Sequence, residues 1–169
     1  MKNKRIRDMI LFTMLGVIMF LSKLIMESIP NVHPLAMFIT VFTLVYRVRA
    51  LIPIYVYVFL NGIIAGFDLW WVPYTYIWAV LWLLVMLIPK NASDKVVAIM
   101  STVFCALHAI LFSIMYAPFQ ALAFGLNFEG MISWLIVGIP YDIFHLCGNI
   151  VMSLLVLPLY KVMKKLEKE

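Results

Sequence analysis

Gly138-Ile-Pro-Tyr-Asp-Ile-Phe-His-Leu-Cys-Gly-Asn149 sets an aspartate, a histidine and an asparagine inside a run that stays apolar through Ile150-Val-Met-Ser-Leu-Leu-Val-Leu157. The whole segment, Trp134 to Met163, has membrane length. At helical spacing Asp142, His145 and Asn149 stand three and then four residues apart, so they share one face. Tyr141 lies beside them, four before His145. Such groups are costly in hydrocarbon unless they face protein, a partner or water. The stretch reads as a membrane helix with a polar face that holds something.

Composition agrees with a membrane location. Of 169 residues, 66% are hydrophobic and 12% charged, and the mean hydropathy is +1.06. A soluble domain is closer to half apolar and a quarter charged, and this length cannot hide so much apolar surface from water. The formal net charge of +5 sits in short stretches between apolar runs, which argues for cytoplasmic loops and against nucleic-acid binding. Cys105 and Cys147 both fall in apolar segments, where cysteine behaves as a small hydrophobe, so no disulfide framework is expected. The basic start Lys2-Asn-Lys-Arg-Ile-Arg7 leads into an apolar stretch too long for a cleavable leader. No linker divides residues 1–169, which are read as a single integral membrane domain.

Six apolar segments are legible: about Met9–Met26, Leu35–Val45, Leu51–Phe67, Pro73–Ile88, Val96–Tyr116 and Trp134–Met163. The link Ser28-Ile-Pro-Asn-Val-His-Pro34 reads as an ordered loop, because its prolines oppose helix. Asp68-Leu-Trp-Trp-Val-Pro73 reads as an interfacial turn. Pro118 is expected to end or kink the fifth segment. Ala117 to Ser133 is expected to be an interfacial loop with room for a short helix. The pair Gly62 and Gly66 has the spacing that lets helices approach closely. With both termini cytoplasmic, the inner side takes Lys2, Lys4, Arg5, Arg7, Arg47, Arg49, Lys90, Lys95, Lys161, Lys164, Lys165 and Lys168. Of the 13 Lys and Arg, only Lys23 lies outside. Orientation follows Lys and Arg, so the expected fold is an all-α membrane protein of six transmembrane helices with both ends inside.

In this topology Asp142 falls early in the sixth helix, near its outer end. It can face an outward cavity, or simply cap a helix whose first turn holds Pro140. Asn149 is deeper, and serves either a ligand or an interhelical hydrogen bond. His108 and His145 are each readable alone as core histidines. Together, His108, Tyr141, Asp142, His145 and Asn149, with Asn31, His33, Trp70 and Trp71 from the outer loops, form a candidate pocket with aromatic walls and a few polar groups. The tryptophans are also readable as an ordinary aromatic belt. No local ligand spacing supports a metal, no Ser or Cys is poised for nucleophilic attack, and no phosphate-binding loop is present. No enzyme activity, cofactor or metal is expected.

The last helix, with Pro140, Asp142, His145 and Asn149 followed by Leu154-Leu-Val-Leu-Pro-Leu159, in a chain of six short helices, resembles the substrate-binding S components of energy-coupling factor (ECF) vitamin transporters. That resemblance implies a bacterial cell-membrane protein that takes a vitamin or related micronutrient from outside. It implies that the loop after the first helix, Glu27 to Pro34, closes over the substrate. It also implies partners: a membrane coupling (T) protein and two cytoplasmic ATPases. The family's small-x-x-x-small docking pattern on the first helix is poorly matched, since Gly16 is followed four later by Phe20. Two rival readings are a proton-coupled secondary transporter using Asp142 and His145, and a membrane assembly protein without a ligand.

Overall fold

The computed structural model describes residues 2–29 and 31–167, with the side chains of Lys2 and Asn3 not described. Pro30 of the first loop and Lys168 of the basic tail therefore lie outside the described residues. Among the described residues seven α-helices follow one another: α1 (Lys2–Ile25), α2 (Leu35–Tyr46), α3 (Leu51–Ala65), α4 (Tyr74–Met86), α5 (Asp94–Phe124), α6 (Phe128–Ser153) and α7 (Val156–Leu166). No strand occurs among the described residues.

Helix α2 is the central post. Nine of its twelve residues are buried, including Leu35, Ile39, Val41 and Phe42. A helix buried on all sides reads apolar all round, which is why this segment shows no polar face. Thr40 and Thr43 meet the same demand by donating to the carbonyls one turn back, at 2.7 and 2.6 Å. Neighbouring helices largely surround it.

Five stretches are long and apolar enough to cross a membrane, one of them the 31-residue run Leu35–Ala65. That run makes two passes, because the chain turns at Arg47, whose φ is 55°. Arg47 reaches the carbonyls of Met86 and Ile88 at the end of α4, so α2 runs alongside α4 in the same direction. Val58 accepts from the Trp71 indole just before α4 begins, so α3 runs back the other way. Six passes result. The two ends meet on one face, where Arg49 pairs with Asp8 at 3.4 Å and with Glu167 at 3.5 Å. This is the face rich in Lys and Arg, hence the cytoplasmic one.

The outer end of the bundle departs from the sequence reading. Residues 117–133 are mostly helix: α5 continues to Phe124, and α6 begins at Phe128. Gly125, with φ 64°, closes α5 in the left-handed conformation. The Asn127 side chain accepts from the Gly130 N–H at 2.8 Å and opens α6. Pro118 and Pro140 both lie inside helices, a placement membrane helices tolerate because nearby groups satisfy the backbone again. Asp142 is consequently no cap; it sits in the middle of α6. The sixth segment also breaks at Leu154 and Leu155, and α7 continues as an amphipathic helix that buries Val156 and Tyr160.

Helix α6 is apolar outside and polar within. Its buried residues are His145, Gly148, Asn149 and Ser153, while Ile136, Val137, Ile143, Phe144 and Val151 are exposed. Lipid accepts the second set and refuses the first. Among the described residues no other helix comes close to Gly66, and the nearest atoms to Gly62 are not those of another helix. Gly62 lies under the Phe67 ring of its own segment, and Gly66 ends α3 with φ 91° and nothing nearby. Gly16 makes the close contact instead: a Cβ there would stand 2.5 Å from Val56 and 2.8 Å from the Pro53 carbonyl.

Candidate functional site

All three histidines of the chain converge in the interior, around Trp78. The Trp78 ring is 1% exposed and is surrounded by the rings of His108 at 5.4 Å, Tyr74 and Phe112 at 5.7 Å, Tyr57 at 6.0 Å and His33 at 6.1 Å. His145 closes the group, with ring centroids 5.1 Å from Phe112, 5.3 Å from His33 and 6.4 Å from His108. Five separate parts of the chain supply these rings: the first loop, α3, α4, α5 and α6.

Helical spacing explains the local order. His108, Phe112 and Tyr116 recur every four residues on α5 and so form one stripe. Tyr74 and Trp78 do the same on α4, as His145 and Asn149 do on α6. Tyr116 carries the aromatic surface outward: Trp134 stacks on it at 5.9 Å, and its hydroxyl donates to the Trp70 carbonyl at 2.9 Å.

The polar atoms of this cluster are only partly used. Asn149 donates to the Cys105 carbonyl at 3.0 Å, yet its Oδ1 has no partner. His108 Nε2 meets the Ile77 carbonyl at 3.1 Å, while its Nδ1 has none. His33 Nδ1, His145 Nε2, the Tyr57 hydroxyl and the Trp78 indole N–H are also buried and unpartnered. A buried polar group left alone costs about 1–3 kcal/mol, so several in one place are unusual for a purely structural core. Burial lowers the His33 pKa from 6.5 to about 4, which leaves that ring neutral at pH 7.

A cleft lies beside the cluster at the outer end of the bundle. About 230 Å³ in volume, it is lined by Lys23, Glu27, Asn31, His33 and Tyr74, among others. Two of these, His33 and Tyr74, touch Trp78 directly. A larger groove of about 310 Å³ lies on the opposite face among Arg7, Asp8, Arg49 and Glu167. It contains the ion pairs of Arg49 with Asp8 and Glu167 and none of the cluster residues.

The candidate residues from the sequence divide into three groups. His33, His108, His145 and Asn149 come together. Asp142 stands one turn from His145 along α6, half-buried, and accepts from Ser113 at 2.6 Å. Asn31 holds the first loop against α6 by donating to the Tyr141 carbonyl at 3.3 Å. Trp70 touches the rim of the cluster, edging Tyr74 at 5.5 Å, whereas Tyr141 is 54% exposed and Trp71 is committed to Val58 and Phe67. Trp78, Phe112, Tyr57 and Tyr74 were not singled out from sequence. The four-residue repeat of aromatic and histidine residues along α4 and α5 was the available signal. Among the described residues, no group of three or more His, Cys, Asp and Glu side chains is placed to hold a metal ion. In comparisons with known proteins, the chain matches no family model, no curated protein and no solved structure.

Proposed function

We propose that this membrane protein is a substrate-capture component, of the kind the ECF S components exemplify, that takes a small aromatic or heterocyclic micronutrient from outside. The observation that carries the reading is the set of unpartnered polar atoms around Trp78, joined to an outward cleft. Rings supply stacking surface, and free lone pairs supply orientation, which is how small-molecule sites are usually built. The first loop, carrying Asn31 and His33, covers the cluster and is the element that would move to admit a ligand. With no phosphate-binding loop in the chain, energy for inward release would come from partners: a membrane coupling protein and two ATPases in a bacterial cell membrane. The protein itself performs no catalysis in this reading.

The test is thermal stabilisation of the detergent-purified protein against water-soluble vitamins, purines, pyrimidines and divalent metals. A ligand at one hundred times its Kd adds about 2.7 kcal/mol. One organic compound should stabilise the protein, and Asn149→Ala should abolish the effect. Uptake in cells should then require the ATPases and survive collapse of the proton gradient; dependence on the gradient would favour a secondary transporter built on Asp142 and His145. No stabilising compound at all would favour an assembly protein.

A further inference from the structure

The cytoplasmic ends of α1, α3 and α7 enclose a basic groove that the capture role does not use. Phe12 lies in it, with the Arg49 guanidinium 5.7 Å from the ring centre, and α1 lines it with Lys4, Arg5 and Arg7. Asp8 and Glu167 are the carboxylates of its lining, and both pair with Arg49, at 3.4 and 3.5 Å. Four cations therefore share a groove with two carboxylates. Among the described residues Lys4, Arg5 and Arg7 form no ion pair. Like charges gathered round one groove repel one another unless an anion lies among them.

The groove also has a direction. Arg49 and Ile52 both line it, and from Ile52 a shallow apolar trough continues outward along α3 over Tyr55, Val56 and Phe59. Ile52, Tyr55 and Phe59 are exposed and stand three and four residues apart, so they form one stripe about 10 Å long. Cations thus sit at the cytoplasmic end, and apolar surface leads from them into the hydrocarbon. A free phosphate or an acidic peptide matches only the first part. A lipid of the inner leaflet matches both, in this order, and basic pockets on the cytoplasmic side of membrane helices suit anionic headgroups.

We propose that this groove is a binding site for one anionic phospholipid of the inner leaflet. Its phosphate lies among Lys4, Arg5, Arg7 and Arg49, and an acyl chain runs along Ile52, Tyr55 and Phe59. The site is on the opposite face from the aromatic cluster and does not depend on what that cluster binds.

Native mass spectrometry of the full chain in detergent tests this, with equal amounts of phosphatidylglycerol and phosphatidylcholine of the same acyl chains. Phosphatidylglycerol should be retained at least about tenfold over phosphatidylcholine, since each Lys or Arg near an anionic headgroup contributes about fivefold. Lys4→Gln with Arg5→Gln should lose most of that preference. Lys90→Gln with Lys95→Gln removes two cytoplasmic charges outside the groove and should keep it. Glycerol 3-phosphate at the same concentration should not compete, because it has no acyl chain. Equal retention of the two lipids by the natural protein overturns the proposal whether or not the variants fold. Equal loss in the two double variants overturns it too, by making the preference a matter of net charge. Competition by glycerol 3-phosphate gives the site to a free phosphate instead. Disulfide cross-linking of Met9→Cys between two chains, in phosphatidylglycerol vesicles, gives the groove to a second copy.

Discussion

The ring of His33 meets the ring of His145 with centroids 5.3 Å apart and planes inclined at 64°. One residue belongs to the loop after α1 and the other to the inward face of α6. With the Asn31 bond to the Tyr141 carbonyl, this contact fastens the loop across the outer end of the aromatic cluster. Opening the cluster to the outside means breaking it.

The contact should be sensitive to pH. Burial holds the His33 pKa at about 4, against 6.5 in an exposed chain. Between those values the unfolded or undocked chain binds more protons than the native one, so stability rises with pH. It should be level above about pH 6.5 and fall toward pH 4, by at most about 3 kcal/mol for the full shift. Lys23, His108 and His145 also lie near this ring. Melting temperatures at pH 7.5, 5.5 and 4.5 should therefore fall less steeply in His33→Gln than in the natural protein. Superimposable profiles would remove His33 from the account.

Asn149→Leu separates a structural amide from a functional one. The substitution removes the bond to Cys105, worth on the order of 1 kcal/mol in a membrane protein, and also removes a buried unpartnered oxygen. The melting temperature should change little, while stabilisation by any ligand found should be lost. A large destabilisation with ligand response intact would make Asn149 a packing residue only.

The pattern that announced the fold and the pattern that hid part of the site are related. The polar residues of α6 are conspicuous because lipid tolerates so few, and they pointed to His145 and Asn149. Charge placement marked the inner loops, and the ion pairs from Arg49 to Asp8 and Glu167 put both ends on that face. Trp78 was hidden because an aromatic residue in a membrane helix looks the same in lipid, at the interface or at the centre of a cluster. Trp70 and Trp71 drew attention as neighbours, yet Trp71 spends its N–H on Val58. Residues 117–133 read as loop from sequence because Pro118 and Gly125 are strong breakers in water. Only Gly125 breaks the chain here, since packed membrane helices absorb proline.

Gly16→Val should loosen the pairing of α1 and α3. A Cβ at this position already meets Val56 at 2.5 Å and backbone at Pro53, and neither can yield without moving α3. Overpacking of this kind costs about 1–3 kcal/mol. Gly66→Ala probes the other glycine property: nothing crowds its Cβ, but φ 91° is unfavourable for any side chain. In melting curves of the two variants Gly16→Val should be the more damaged; the reverse order would mean that the α1–α3 contact at Gly16 yields easily and that the backbone strain at Gly66 is the larger cost.

The two arginines at the α2–α3 turn should behave very differently. Arg47 donates to the carbonyls of Ile88 and Met86 at 3.1 and 2.6 Å, and its own carbonyl accepts from the Trp82 indole at 3.0 Å. It thereby satisfies the open end of α4 and fixes where the chain reverses. Hydrogen bonds from a charged donor are worth about 1.5–3 kcal/mol each, so Arg47→Ala should cost at least one such bond. Arg49 is half-exposed and pairs with Asp8 and Glu167 across water-accessible surface. Exposed pairs contribute about 0–1 kcal/mol and are screened by salt. Arg49→Ala should thus lower the melting temperature slightly at low salt and hardly at all in 0.5 M salt, while the Arg47→Ala loss should persist in both. If Arg49→Ala proved as damaging as Arg47→Ala at high salt, the ion pairs would be holding the termini together rather than decorating a face fixed by helix packing.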